Sequence, residues 1–214
     1  PVTRWGMVLD LTRCIGCAAC VVACKQEHNL PAGISWCRVL TGEVGEYPAA
    51  RQEAWPVLCN HCEEAKCVDA CPTKASSRRD DGLVIIDYDK CLGCRYCLVA
   101  CPYQSRSYLS QFRPYFPGQG WLPGEEIAKK MYQTGVVVKC TFCVERIDRG
   151  LKEGLKPGVD REATPTCVNA CATGARQFGD LDNPASKASR LIAEKHGFQN
   201  HPEFGTNPSV YYIR

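Results

Sequence analysis

Sixteen of the seventeen cysteines in this 214-residue chain fall into four groups with nearly the same internal spacing. Cys14, Cys17, Cys20 and Cys24 are separated by two, two and three residues. Cys59, Cys62, Cys67 and Cys71 are separated by two, four and three, and Pro72 follows. Cys91, Cys94, Cys97 and Cys101 repeat the first spacing within "CLGCRYCLVACP". The fourth group is split: Cys140 and Cys143 stand in "CTFC", and Cys167 and Cys171 follow after 23 intervening residues with the same final spacing. Crowded thiolates hold soft metals. Structural zinc takes two close pairs joined by a longer loop, which leaves three cysteines in seven residues unexplained. Iron–sulfur ligation explains them. Three thiolates of one tight loop reach three irons of a cubane, and a fourth, one helical turn on, is displaced by about 6 Å along the axis. There it meets a neighbouring cluster, as in the bacterial C-x2-C-x2-C-x3-C-P run. Four copies predict four [4Fe–4S] clusters in two reciprocal pairs, and the chemistry they supply is one-electron transfer.

The elements that position these thiols are short. Only 19 residues separate Cys71 from Cys91, and within them Asp81-Gly82 signals a turn and "LVIID" a β-branched strand. Such a link joins the two motifs of a compact two-cluster ferredoxin, so the second and third copies form an inner module. The first and fourth lack the terminal proline and pair around it by elimination. Carrying the exchange of fourth cysteines through gives four ligand sets: Cys14, Cys17, Cys20 with Cys171; Cys140, Cys143, Cys167 with Cys24; Cys59, Cys62, Cys67 with Cys101; and Cys91, Cys94, Cys97 with Cys71.

The expected fold is α+β, two ferredoxin-like modules with the inner inserted in the outer. The inner spans 50–105, and the outer spans 1–49 plus 136–182. An aromatic interface loop covers 106–135, and a helix and extended arm cover 183–214. The stretch 103–132 holds seven of the 19 aromatics, Tyr103, Tyr108, Phe112, Tyr115, Phe116, Trp121 and Tyr132. They serve either an interface or local packing over the clusters. "VVV" at 136–138 reads as a strand. In "NPASKASRLIAEKHG" Asn183 is the expected N-cap, Pro184 the first helical residue and Gly197 the C′ residue. "SVYYIR" closes the chain as a strand or arm.

Cations adjoin the ligands at Arg13, Lys25, Lys66, Lys90, Arg95 and Lys139. They either moderate cluster charge or are solvated surface. Clusters of about −2 each would carry the formal charge of +3 to about −5. His61, inside "CNHC", either donates to a sulfur or packs; Cys37 reads as a small buried hydrophobe. No Gly-rich nucleotide fingerprint or P-loop is present, and no nucleic-acid partner is expected. No apolar run approaches the roughly 18 residues of a membrane span. "PVTRWGMVLDLTRC" lacks the apolar region of a signal peptide, so folding in the cytoplasm is expected, and the leading Pro1 suggests removal of an initiator methionine.

The four-motif order resembles the iron–sulfur subunits of the dimethyl-sulfoxide-reductase superfamily. The likeness is carried by "GMVLDLTRCIGCAACVVACK", "LCNHCEEAKCVDACPT", "DGLVIIDYDKCLGCRYCLVACPY", "KCTFCVERIDRG", "GDLDNPASKASRLI" and "NPSVYYIR", and covers nearly the whole chain. It is strongest toward the shorter members, from polysulfide, thiosulfate, tetrathionate and arsenate reductases. The resemblance implies a four-cluster wire serving anaerobic respiration. It implies a large molybdopterin (molybdenum or tungsten) catalytic partner, a membrane-embedded quinone-reactive subunit, and periplasmic or membrane-associated residence through those partners. It also implies that the Cys14, Cys17, Cys20 and Cys171 set faces the catalytic subunit, with the Cys91, Cys94, Cys97 and Cys71 set at the far end. Some relatives carry Trp in the third motif and hold a [3Fe–4S] centre there; Cys94 keeps the full set here. The loops at 102–139 and 144–166 are longer than in the shortest relatives, and the C-terminal anchor of formate dehydrogenase subunits is not expected. The rival expectation is a free polyferredoxin shuttle.

Overall fold

The structure, a computed structural model, describes residues 3–214; Pro1 lies outside them. In chain order the elements are β1 (Trp5–Asp10), α1 (Ala19–Glu27), β2 (Cys37–Val44), β3 (Arg51–Leu58), α2 (Lys66–Asp69), β4 (Ser76–Arg78), β5 (Val84–Ile86) and α3 (Tyr96–Val99). There follow β6 (Arg106–Leu109), α4 (Pro123–Met131), β7 (Val136–Lys139), α5 (Val144–Lys152), α6 (Thr166–Asn169), β8 (Arg176–Asp180), α7 (Lys187–Glu194), β9 (Phe198–Gln199) and β10 (Val210–Ile213). The result is a mixed α and β chain with small sheets.

The largest sheet has the order β8-β1-β10-β9. β1 is its hinge, antiparallel to β8 and parallel to β10. Both faces of β1 are covered, which explains its unbroken apolar sequence. Trp5, Met7 and Leu9 enter the main core with Phe178, Val210 and Tyr212. Val8 points the other way, into a small cluster with Ala188 of α7 and Ile213. One face of the sheet thus looks toward the cysteine-bearing loops and the other carries α7.

Three hairpins complete the strands. β2 and β3 pair from Cys37↔Leu58 to Val44↔Arg51, so the hairpin crosses the boundary expected at residue 50 and delivers Cys59 from the strand that ends opposite Cys37. β4 and β5 turn at Asp81-Gly82, as the sequence predicts. There Gly82 has φ +82°, its N–H donates to the Arg79 carbonyl at 3.0 Å, and Asp81 accepts from the Leu83 N–H at 3.3 Å. β6 pairs with β7, which contains the expected "VVV" strand.

Two local expectations are revised. The 103–132 stretch is not all loop: it holds β6 and α4. Pro123 starts α4, and the Glu125 carboxylate accepts from the Leu122 N–H at 2.6 Å. Its aromatics differ in burial. Tyr132 is buried with its hydroxyl on the His28 carbonyl, whereas Phe116 and Trp121 stay 53% and 40% exposed. In α7 the N-cap is Ser186, whose Oγ accepts from the Ser189 N–H at 3.1 Å. Asn183 instead accepts from the Ala185 N–H and shapes the preceding turn. Ser186 prevails because its hydroxyl also donates to the Asp180 carbonyl, anchoring the cap to β8. At the other end His196 takes the left-handed C′ position (φ +50°), and the next residue, Gly197, donates to the Ile192 carbonyl at 2.8 Å, a Schellman closure.

Candidate metal centres

The four cysteine loops share one backbone device. The residue before the second cysteine of each group is left-handed: Gly16 at φ +72°, His61 at +42°, Gly93 at +66° and Phe142 at +56°. A left-handed residue in a tight loop turns successive N–H groups toward a common concavity, the kind of site that takes anionic sulfur. Glycine adopts this conformation freely, whereas a side chain costs about 1–2 kcal/mol there. His61 and Phe142 bear that strain while stacked on each other, ring centroids 3.9 Å apart. Both are fully enclosed, so their mutual packing offsets the strain.

A short helix then carries the third cysteine of each group: Cys20 on α1, Cys67 on α2, Cys97 on α3 and Cys167 on α6. The fourth, at Cys24, Cys71, Cys101 or Cys171, comes one turn later.

Two groups of thiols line cavities. Cys14, Cys17, Cys20 and Cys171 border one, together with Val39, Pro56 and Arg176. Cys71, Cys91, Cys94 and Cys97 border another, with Ile86, Val137 and Arg106. The remaining thiols are known by their mutual influence. Burial pushes the Cys62 thiol up to about 12, with Cys59, Cys67 and Cys101 adding to it. Burial likewise raises Cys143, with Cys167, Cys140 and Cys24 beside it. Cys140 is pushed up to about 12 by burial, then by Cys59 and Cys167, so the second and fourth groups also adjoin. All seventeen cysteines are free thiols, and Cys17 and Cys94 are the two exposed ones. Among the described residues, no three His, Cys, Asp or Glu side chains are placed to hold a single metal ion.

The polar groups that touch sulfur are mostly not the ones adjacent to a ligand in the chain. Arg13, Lys66, Lys90 and Arg95 are exposed; Lys90 pairs with Asp87, and Arg95 lies over the Tyr108 ring. Lys25 donates to the Ile34 carbonyl, and buried Lys139 to the carbonyls of Val84 and Cys140. His61 packs: its Nδ1 accepts from the Val84 N–H at 3.0 Å, and burial holds its pKa well below the usual value. It is His28 that meets a thiol, with Nε2 3.2 Å from Cys143 Sγ. Burial lowers the His28 pKa, so the ring is neutral.

Cys37 is buried, as expected of a small hydrophobe, but it is also a hydrogen-bonding partner. Its thiol donates to Cys20 Sγ at 3.9 Å, and Arg176 Nη2 donates to Cys37 Sγ at 3.0 Å. That bond from Cys37, with the guanidinium beside it, pulls the Cys20 thiol down to about 6, and the same bond pushes Cys37 up. Arg106 Nη2 donates to Cys67 Sγ at 3.0 Å. The signal for both arginines lies in the sequence: each stands five residues beyond the last cysteine of its copy, at Cys101–Arg106 and Cys171–Arg176.

These residues suit iron–sulfur groups. The donor set is all thiol, each loop has a left-handed residue before its second cysteine, and enclosed guanidinium groups stand ready to balance thiolate charge.

Comparison with known proteins agrees. A family described as "4Fe-4S dicluster domain" matches residues 51–112, and one described as "4Fe-4S binding domain" matches residues 5–26. The chain is 43% identical over 224 residues to a protein of Halobacterium salinarum described as a dimethyl sulfoxide reductase iron–sulfur subunit, covering 99% of this chain and 79% of that one. It is 36% identical to the iron–sulfur subunit, ArrB, of the arsenate respiratory reductase of a Shewanella species, covering 99% and 96%. It is 38% identical to a sulfite dehydrogenase subunit of Allochromatium vinosum, covering 99% and 83%. By its repeated cysteine loops and by these likenesses along its whole length, the chain belongs to the 4Fe–4S electron-transfer subunits of the dimethyl-sulfoxide-reductase family.

Proposed function

We propose that this chain holds four [4Fe–4S] clusters in two reciprocal pairs. In this reading it relays single electrons between a molybdopterin catalytic subunit and a quinone-reactive membrane subunit or other redox partner. When bound, such groups supply reversible one-electron storage. The protein supplies the ligands: Cys14, Cys17, Cys20 with Cys171; Cys140, Cys143, Cys167 with Cys24; Cys59, Cys62, Cys67 with Cys101; and Cys91, Cys94, Cys97 with Cys71. The inner module, 50–105, sits within the outer, 1–49 plus 136–182.

The observation that carries this reading is that a last-position cysteine of one group lines a cavity bordered by another group. Cys171, remote in sequence, lines the cavity of Cys14, Cys17 and Cys20, and Cys71 lines that of Cys91, Cys94 and Cys97. The neighbouring thiols support an order along the molecule: Cys20 beside Cys24, Cys140 beside Cys59, and Arg106 between Cys67 and Cys97. At either end of that order an exposed thiol sits among exposed apolar side chains. Ile15 is 71% exposed near Cys17, and Leu92 is 76% exposed near Cys94. Apolar skirts around exposed ligands suit docking partners that must approach closely. Phe116 and Trp121 extend the candidate partner surface along the 106–135 segment. No described helix is long and apolar enough to cross a membrane. A free polyferredoxin shuttle would leave those skirts unexplained.

Anaerobic reconstitution should load about sixteen irons per chain. The exchange is tested by non-additive loss. Cys17→Ala and Cys171→Ala each remove about four irons, and the double variant removes no more than either. Cys171→Ala with Cys143→Ala removes about eight irons. Loss of about eight from the first pair would reject the ligand sets.

A further inference from the structure

Arg106 and Arg176 are 6% and 2% exposed, and neither makes an ion pair with a carboxylate among the described residues. A guanidinium enclosed without a compensating anion is strongly unfavourable. Most of the atoms to which these two groups donate are sulfur. Arg176 Nη1 lies 3.7 Å from Cys167 Sγ and 3.5 Å from Met7 Sδ. Its Nη2 donates to Cys37 Sγ at 3.0 Å, and Cys37 in turn donates to Cys20 Sγ. One guanidinium therefore reaches a thiol of each member of the outer pair.

The inner module repeats the arrangement with different intermediates. Arg106 Nη2 donates to Cys67 Sγ at 3.0 Å, and its Nη1 donates to Ser76 Oγ at 2.8 Å. The Ser76 N–H donates to Cys71 Sγ at 3.4 Å. Cys67 and Cys71 belong to the two different sets of the inner pair. Arg106 Nε is buried and has no protein acceptor, a donor directed at something the protein does not supply. Each arginine also opens the strand that follows its copy, β6 or β8. Backbone pairing therefore fixes where the side chain begins, and the same placement arises twice.

We infer that Arg106 and Arg176 are shared counter-cations, each setting the reduction potentials of both metal sites in its own module. The inference rests on the ligand sets proposed above. A cation between two sites favours the more negative, reduced form of both; removing it lowers both potentials together. These are positioning residues that act through thiols, and charge rather than shape is the property that matters.

The test uses the reconstituted full chain with Arg106→Met, Arg106→Lys, Arg176→Met and Arg176→Lys. Iron is counted, and each site's potential is read by redox titration followed by EPR. Each methionine variant should shift the reduction equilibrium of both sites in its own pair at least about tenfold toward the oxidised form, or 59 mV for a one-electron couple. The other pair should stay unmoved, and each lysine variant should stay close to wild type. If a methionine variant binds less iron, a glutamine variant at the same position is read in its place. Full iron with unmoved potentials, or an equal shift of all four sites, overturns the inference alone. A wild-type chain well short of about sixteen irons rejects the ligand sets, and the inference with them.

Discussion

Gly16 and Gly93 occupy the same place in two copies of one loop, yet alanine should affect them very differently. Both are left-handed, at φ +72° and +66°, so alanine brings the same conformational cost of about 1–2 kcal/mol at each. Their surroundings differ. A Cβ at Gly16 would meet Ala54 Cβ at 3.4 Å, an ordinary contact, whereas a Cβ at Gly93 would lie 1.9 Å from the Gly135 carbonyl oxygen. Gly135 cannot yield easily, because its N–H donates to the Leu109 carbonyl at 2.7 Å and its residue leads directly into β7. Relieving the clash means moving the CLGC loop or the β6–β7 hairpin, with an overpacking cost of about 1–3 kcal/mol beyond the strain. Gly16→Ala should therefore cost about 1–2 kcal/mol and keep full iron. Gly93→Ala should cost about 2–5 kcal/mol in all and bind the iron of the Cys91, Cys94, Cys97 and Cys71 site poorly. Apparent melting temperature and iron per chain, measured on the two variants in parallel, decide the matter. If Gly16→Ala proved as damaging as Gly93→Ala, the contrast between the two loop environments would be wrong.

Three further outcomes can be checked. Cys94→Ala should lose or convert one site and leave three EPR signals, because its thiol is exposed and its removal leaves no core cavity; four unchanged signals would refute its assignment. Thiols such as Cys62 and Cys140, pushed up to about 12 mainly by burial, are protonated in the metal-free fold near neutrality, so loading must release protons. The raised values make loading more favourable as pH climbs toward about 12, and reconstitution in weak buffer at pH about 7.5 should acidify the medium; a constant pH would count against it. Ser186→Ala should cost about 1 kcal/mol through the lost α7 cap. Asn183→Ala, which only loosens the preceding turn, should cost less in the same thermal unfolding experiment.

The features legible in the sequence are those decided over one or two helical turns. Cysteine spacing specifies a loop followed by a turn of helix, and the Asp81-Gly82 turn and the β-branched runs specify hairpins, because these depend on backbone preferences within a few residues. The N-cap expected at Asn183 lies instead at Ser186, where a carbonyl on β8 that only the folded chain brings near holds the hydroxyl. The helix within the aromatic 103–132 stretch is not legible locally for a related reason. Its helix α4 is held by Glu125 and by Tyr132 reaching the His28 carbonyl, 104 residues away.

The contacts made to sulfur belong to the tertiary structure, although the place of both arginines, five residues past a cysteine group, stands in the sequence. Arg176 meets Cys37 across 139 residues, and His28 meets Cys143 across 115. Adjacency in the chain pointed instead to Arg13, Lys66 and Lys90, which lie in solvent because neighbours of a ligand in a tight loop face outward as often as inward. Sequence alone thus set the cysteine pattern, and with it the candidate ligand thiols. Which cations and donors stand beside them depended on the packing of β1, β6 and β8, since a side chain's distant partners are set by how strands pair and not by the residues next to it.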